Sequence, residues 1–211
     1  MRSLNVAEMA RIAEQRGWPL FVGMELLSGR GLLWHGRVWD GGAEHDAWIV
    51  TDSARRNAQA RRMDGLPWKC GKAKTLPGSL AAWPVGLEES RDYPHVMLCE
   101  GGPDFLAALL VAWWHGYAAT LAPVAILGAG LSIPGGALHY FAGKEITLCQ
   151  HADTAHTKGQ DAAQRWAAQL RGAGAASVQF ADFARARAIA DGRPCKDLAD
   201  FAATLRAPMS E

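Results

Sequence analysis

The sequence predicts an α/β protein in which a mainly parallel, Rossmann-like sheet is flanked by helices and preceded by a smaller, basic α+β arm. Three observations lead there. Short apolar runs at 96–99, 124–127, 146–149 and 177–180 alternate with helical patterns at 105–115 and 161–171, and strands that alternate with helices build a parallel sheet covered on both faces. Before residue 94 the pattern is instead strand, Gly-rich turn and strand, which predicts an antiparallel element. Between 51 and 75, seven basic residues face only two acids. These shifts divide the chain into an arm at 1–93, a sheet domain at 94–205 and a tail at 206–211.

With 211 residues, 49% hydrophobic and 20% charged, the chain can form one large domain or two small ones and is too apolar for intrinsic disorder. Lys plus Arg (22) nearly cancels Asp plus Glu (21), so attraction to a polyanion has to come from local clustering. The longest apolar run, 105–114, is half of the roughly 20 residues a membrane span needs. The first residues lack the apolar core of a signal peptide, so a cytoplasmic protein with no membrane partner is expected. Cys70, Cys99, Cys149 and Cys195 have no zinc-ribbon spacing and read as reduced thiols, with Cys99 and Cys149 in the core.

Each element has its own local reason. Residues 6–16 carry apolar positions at helical spacing, with Asn5 as N-cap and Gly17 as stop. Segments 31–39 and 46–51 are rich in β-branched and aromatic residues and flank the polar GGAEH turn. VMLC (96–99) is a buried strand that ends at Glu100, Gly101, Gly102 and Pro103, before a helix running from Phe105 to His115. His115 there suits the negative end of the helix dipole. A strand at 124–127 precedes Gly128, and one at 146–149 precedes a polar loop and the helix at 161–171. A last strand, 177–180, is followed by a helix beginning near Lys196.

In open α/β sheets, ligands bind beyond the carboxyl ends of the strands. Two such ends carry acids: Glu100, with Asp104 four residues on, and the pair His151 and Asp153. If the two strands are neighbours, Glu100 and Asp153 converge. Converging carboxylates serve as a metal site or a general acid/base pair. Spacing alone equally admits solvated loop acids, with Asp104 merely favouring the positive end of a helix.

The string Glu100-Gly101-Gly102-Pro103-Asp104 after an apolar strand resembles the E-G-x-x-D motif of Toprim domains, the fold shared by bacterial primases, topoisomerases and related nucleases. VAILG (124–128) resembles the family's second strand and glycine, and ITLCQHAD (146–153) its third strand leading into D-x-D. GQDAA (159–163) resembles the start of the next helix, and KDLAD (196–200) the K-D-x-x-D of phage and plasmid primases. The resemblance covers residues 94–204, and the preceding segment resembles the arm that holds basic residues near template and nucleotide in primases.

The resemblance implies metal-dependent nucleotidyl or phosphoryl transfer on nucleic acid, namely primer synthesis in phage or mobile-element replication. It implies Glu100 as general acid/base and Asp153 as metal anchor, with Gly101, Asp104, Gly128, Lys196 and Asp197 in support. The divalent ion would be Mg²⁺ or Mn²⁺. The family's D-x-D reads His151-Ala152-Asp153 here, and the following loop is longer than the family's. Imidazole removes one negative charge from a shell in which Mg²⁺ prefers hard oxygen donors, so Glu100, His151 and Asp153 are expected to hold Mn²⁺ more tightly than Mg²⁺.

The expected track for single-stranded DNA and nucleoside triphosphates is Arg55, Arg56, Arg61, Arg62, Lys69, Lys72 and Lys74. Solvated or ion-paired arginines are the competing reading. Trp68, inside this track, is the tryptophan expected to stack on a base, whereas Trp48, Trp113 and Trp114 are expected in the core. A chain of this length leaves no room for a zinc module or helicase domain beside a primase core, so two readings stay open: a stand-alone protein partnered by a separately encoded helicase, or a fragment of something larger. Two alternatives stay open within the family: a non-catalytic nucleic-acid or nucleotide binding module, and a metal-dependent nuclease. A hydrolase using Asp153 and His156 is disfavoured by the lack of a G-x-S-x-G elbow.

Overall fold

A computed structural model describes residues 1–151, 158–183 and 192–205. Helix α1 (Val6–Arg16) starts at a capping box in which Asn5 Oδ1 accepts from the Glu8 N–H and the Glu8 carboxylate accepts from the Asn5 N–H, both at 2.9 Å. It buries Met9, Ile12 and Ala13. Helix α2 (Val22–Gly29) was not legible as a periodic pattern; it has no side-chain cap and is fixed by packing. Gly23 explains how: a Cβ there would lie 2.7 Å from the Leu110 backbone nitrogen, so the two helix backbones meet without an intervening side chain.

Strands β1 (Leu33–Asp40) and β2 (Ala43–Thr51) form the expected hairpin around Gly41 and Gly42. The basic segment adds β3 (Ala58–Arg62) and β4 (Lys74–Thr75), giving an antiparallel sheet in the order β1-β2-β3-β4. Because successive side chains of a strand point to opposite faces, β3 separates its two arginines. Arg61 is paired across from Trp48, while Ala60 and Arg62 lie against Trp68 on the other face.

The second sheet is parallel throughout. Strands β5 (His95–Glu100), β6 (Leu121–Ile126), β7 (Glu145–Cys149) and β8 (Ser177–Phe180) take the order β6-β5-β7-β8, so β5 and β7 are neighbours as the converging-acid reading requires. Helix α3 (Gly102–Trp114) and the short α6 (Leu198–Ala202) pack on the face that carries Cys99, Ala125 and Cys149. The other face, with Leu98, Val124, Ile126 and Leu148, is covered by α5 (Lys158–Gly172) and by the short α4 (Gly135–Leu138) with its following 3₁₀ turn (His139–Phe141). Both faces being apolar is why these strands read as continuous apolar runs. Burial of leucines such as Leu106 and Leu109 contributes about 1.5 to 3 kcal/mol each.

The apolar cluster around α3 also takes in α1, α2 and Trp48, so residues from the arm and the sheet domain share one core. Two polar links add to it. The Lys144 ammonium donates to the carbonyls of Ser90, Arg91 and Tyr93 at 2.5 to 2.9 Å, tying the segment before β5 to the start of β7. The amide of Gln59 on β3 donates to the Leu127 carbonyl at the end of β6 (2.9 Å). Among the described residues, no helix is long and apolar enough to cross a membrane.

Candidate metal and nucleic-acid cleft

The turn from β5 into α3 builds one wall of the site. Gly101 takes φ +90°, a left-handed conformation that costs a residue with a Cβ, and this turn sets Asp104 in the first helical turn. Asp104 is only 2% exposed. Its Oδ1 accepts from the Ala199 N–H of α6 (3.0 Å), and its Oδ2 lies 2.9 Å from Nε2 of His151, just beyond β7. Asp197 caps α6 by accepting from the Asp200 N–H (2.8 Å). One ligating atom each from Asp104, His151 and Asp197 lies within 4.8 Å of the others.

The electrostatics of this trio follow from burial and proximity. The hydrogen bond that the Asp104 carboxylate accepts raises the His151 imidazole to about 9, against the opposing effect of burial, so near neutral pH the ring carries its second proton. Burial, then the neighbouring Asp104 charge, pushes the Asp197 carboxyl upward. Two carboxylates and an imidazole at this separation are a donor set that can hold a divalent ion once the ring gives up that proton, since only the neutral imidazole has a lone pair for a metal.

These residues line a cleft of about 450 Å³ that Glu100, Lys196 and Asp200 share and that α1 and β3 close from the opposite side with Arg16 and Arg61. Lys72 completes that basic wall, and these three cations, joined by Arg62, line an adjoining hollow of about 290 Å³ with Trp48, Leu66 and Pro67. Burial, then repulsion from Arg16, lowers the Arg61 guanidinium to about 10; burial likewise lowers Arg16. Among the described residues neither makes an ion pair within 4.0 Å, and a buried Arg61 Nε has no hydrogen-bond partner.

The structure therefore gathers some of the expected site residues and separates others. Glu100 and His151 line one cleft, with Asp104, Lys196 and Asp197, which were expected only in support. Asp153 and His156 lie outside the described residues. Gly101 forms the turn before α3, and Gly128 follows β6. Of the seven basic residues, only Arg61 and Lys72 reach the cleft beside the acids. Arg56 pairs with Asp52 and Glu88 and stacks on Trp83; Arg62 pairs with Asp64 and Lys74 with Asp40. Arg55 lies over Trp34, and the Lys69 N–H donates to Asp40.

Trp68 corrects an expectation. It is 3% exposed, donates its indole N–H to the Ala60 carbonyl and is the centre of a small core, so it offers no face to a base. Trp113 departs the other way: it is 43% exposed at the end of α3. Arg16 was missed, because an arginine closing an amphipathic helix looks like any solvated residue until α1 is placed over the sheet ends.

No protein-family model matches the chain, and no curated protein matches it. Solved structures do. The primase fragment of the bacteriophage T7 primase-helicase protein superposes with a TM-score of 0.51 at 18% identity, over 84% of this chain and 64% of that one. A structure of bacteriophage T7 lagging-strand DNA polymerase interacting with primase domains of two gp4 subunits, bound to an RNA/DNA hybrid and dTTP, gives a TM-score of 0.52 at 20% identity, over 82% of this chain and 76% of that one. The fold is primase-like. The chain thus spans less than two thirds of the length of the T7 fragment.

Proposed function

We propose that this chain is a Toprim-type, primase-like protein that performs metal-dependent nucleotidyl transfer on single-stranded DNA, using nucleoside triphosphates. The observation that carries the reading is the two-sided cleft: a carboxylate–imidazole cluster on the sheet ends faces Arg16, Arg61 and Lys72 on the arm. A divalent ion bound there would neutralise phosphate oxygens during in-line displacement. Asp104, His151 and Asp197 would hold it, and Glu100 would move the proton of the attacking hydroxyl. The arm cations would take the phosphates of template or triphosphate.

The His151–Asp104 contact supports a second reading, a binding module without turnover, because it engages a potential metal-binding nitrogen with a carboxylate. Incubation with Mn²⁺ or Mg²⁺, labelled nucleoside triphosphates and single-stranded DNA separates the readings. Chain growth that is stronger with Mn²⁺ and lost in Glu100→Gln is the expected result. Strand shortening would make the protein a nuclease, and binding without either would make it a module.

A further inference from the structure

Cys99 and Cys149 are paired in register on the neighbouring parallel strands β5 and β7 and point to the same face of the sheet. Both thiols are buried, and the Cys99 thiol donates to the Met97 carbonyl on its own strand (3.6 Å). Cys149 nonetheless lines an apolar groove of about 320 Å³ between α3, Phe183 and α6, so a small neutral molecule can approach it from that side. Adjacent strands lie about 4.7 to 4.9 Å apart, inside the Cα separation of roughly 4.4 to 6.8 Å that a disulfide tolerates.

We propose that Cys99 and Cys149 are a reversible oxidation site that closes as a cross-strand disulfide under peroxide. The Cys149 sulfur attacks one peroxide oxygen: an S–O bond forms, the O–O bond breaks, and the departing oxygen leaves as water with the thiol's proton. The Cys99 sulfur then displaces the oxygen of that sulfenic acid, forming the S–S bond, while the released hydroxide takes the Cys99 proton as a second water. Two thiols and one hydrogen peroxide thus give one disulfide and two waters, with no net charge added to an apolar setting.

The consequence is mechanical. A disulfide needs its Cβ atoms about 3.8 Å apart, closer than the strand spacing, so closure draws β5 and β7 together where they end. Glu100 follows Cys99 directly and His151 lies two residues past Cys149, so the strain falls on the two residues that carry the cleft's sheet side. Strained disulfides are the readily reduced ones, which makes the closure reversible by a dithiol reductant.

The test uses the whole chain treated with hydrogen peroxide, quenched with alkylating reagent and mapped as peptides without reduction. The exposed Cys70 is the internal control that the oxidant acted. Expected is a Cys99–Cys149 linked peptide with the loss of two hydrogens, restored to two alkylatable thiols by dithiothreitol, and formed equally in Cys70→Ser. Free Cys99 and Cys149 after Cys70 is fully oxidised would overturn the proposal, as would oxidation of Cys99 alone to the same extent in Cys149→Ser. The readout is covalent and independent of whether the cleft transfers nucleotides.

Discussion

The two faces of the antiparallel sheet carry the same kind of residue to opposite ends. On the outer face Arg62 is paired with Asp64 and Lys74 with Asp40, both cations lying over Trp68. On the cleft face Arg61 sits beside Arg16 and over the Trp48 ring, with its positive charge destabilised by burial and favoured by Asp104 and Asp197 without a direct ion pair among the described residues. Charge on the outer face is already spent on structure, whereas charge in the cleft is available to an anion. A basic segment read as one patch is therefore two populations, sorted by the parity of a five-residue strand.

The largest expected break in this contrast is at Asp104. Asp104→Ala leaves a half-buried imidazolium and the buried Ala199 N–H without their partner, and because a fully buried pair costs about 3 to 5 kcal/mol to break, a loss of about 2 to 3 kcal/mol is expected for this part-buried one. Asp64→Ala, at an exposed pair on the outer face, should cost under about 1 kcal/mol. Urea unfolding of the two variants measures the gap; equal losses would erase the distinction between the faces.

Next comes pH. The His151 imidazole is raised to about 9 in the fold, against about 6.5 for an unperturbed histidine. A raised pKa means the contribution is fully present below about 6.5 and is lost as pH rises through about 9. The metal-free protein should therefore lose up to about 3 kcal/mol across that window relative to His151→Gln, seen as converging unfolding midpoints.

A smaller effect separates Arg61 from Arg62. Arg61→Ala should lower single-stranded DNA binding and reduce the slope of log affinity against log salt by about 0.7, without loss of stability, because it also relieves repulsion with Arg16. Arg62→Ala should leave the slope unchanged. Fluorescence anisotropy over a salt series measures both, and matching slopes would remove Arg61 from the phosphate track. The smallest effect lies at the chain's start, where Arg2 and the capping hydrogen bond hold the Glu8 carboxyl at about 2. Being depressed, that carboxyl stabilises α1 above about pH 4.5 and stops doing so as pH falls towards 2. Glu8→Gln should flatten this acid limb of the helical circular dichroism signal.

The parallel sheet was readable because its strands are buried on both faces and stand out as apolar runs bounded by glycine. The run at 177–180 matches β8 residue for residue. Helix α2 and strand β3 were not readable, since the first depends on a backbone approach at Gly23 and the second carries charge where strands usually carry apolar residues. That Glu100 and His151 share a cleft was legible because acidic or imidazole side chains at strand ends are conspicuous in a one-dimensional pattern. Arg16, and the direct partnership of Asp104 with His151 and α6, were not found: they depend on how α1 and α6 dock, which no local spacing encodes.

Asp104 is both a member of the ligand cluster and the anchor of α6 through the Ala199 N–H. A cation that draws this carboxylate into the cleft must loosen its hold on that amide. Hydrogen exchange at Ala199, on the cleft wall, is therefore a built-in reporter: its protection should fall as Asp104 turns to a bound cation.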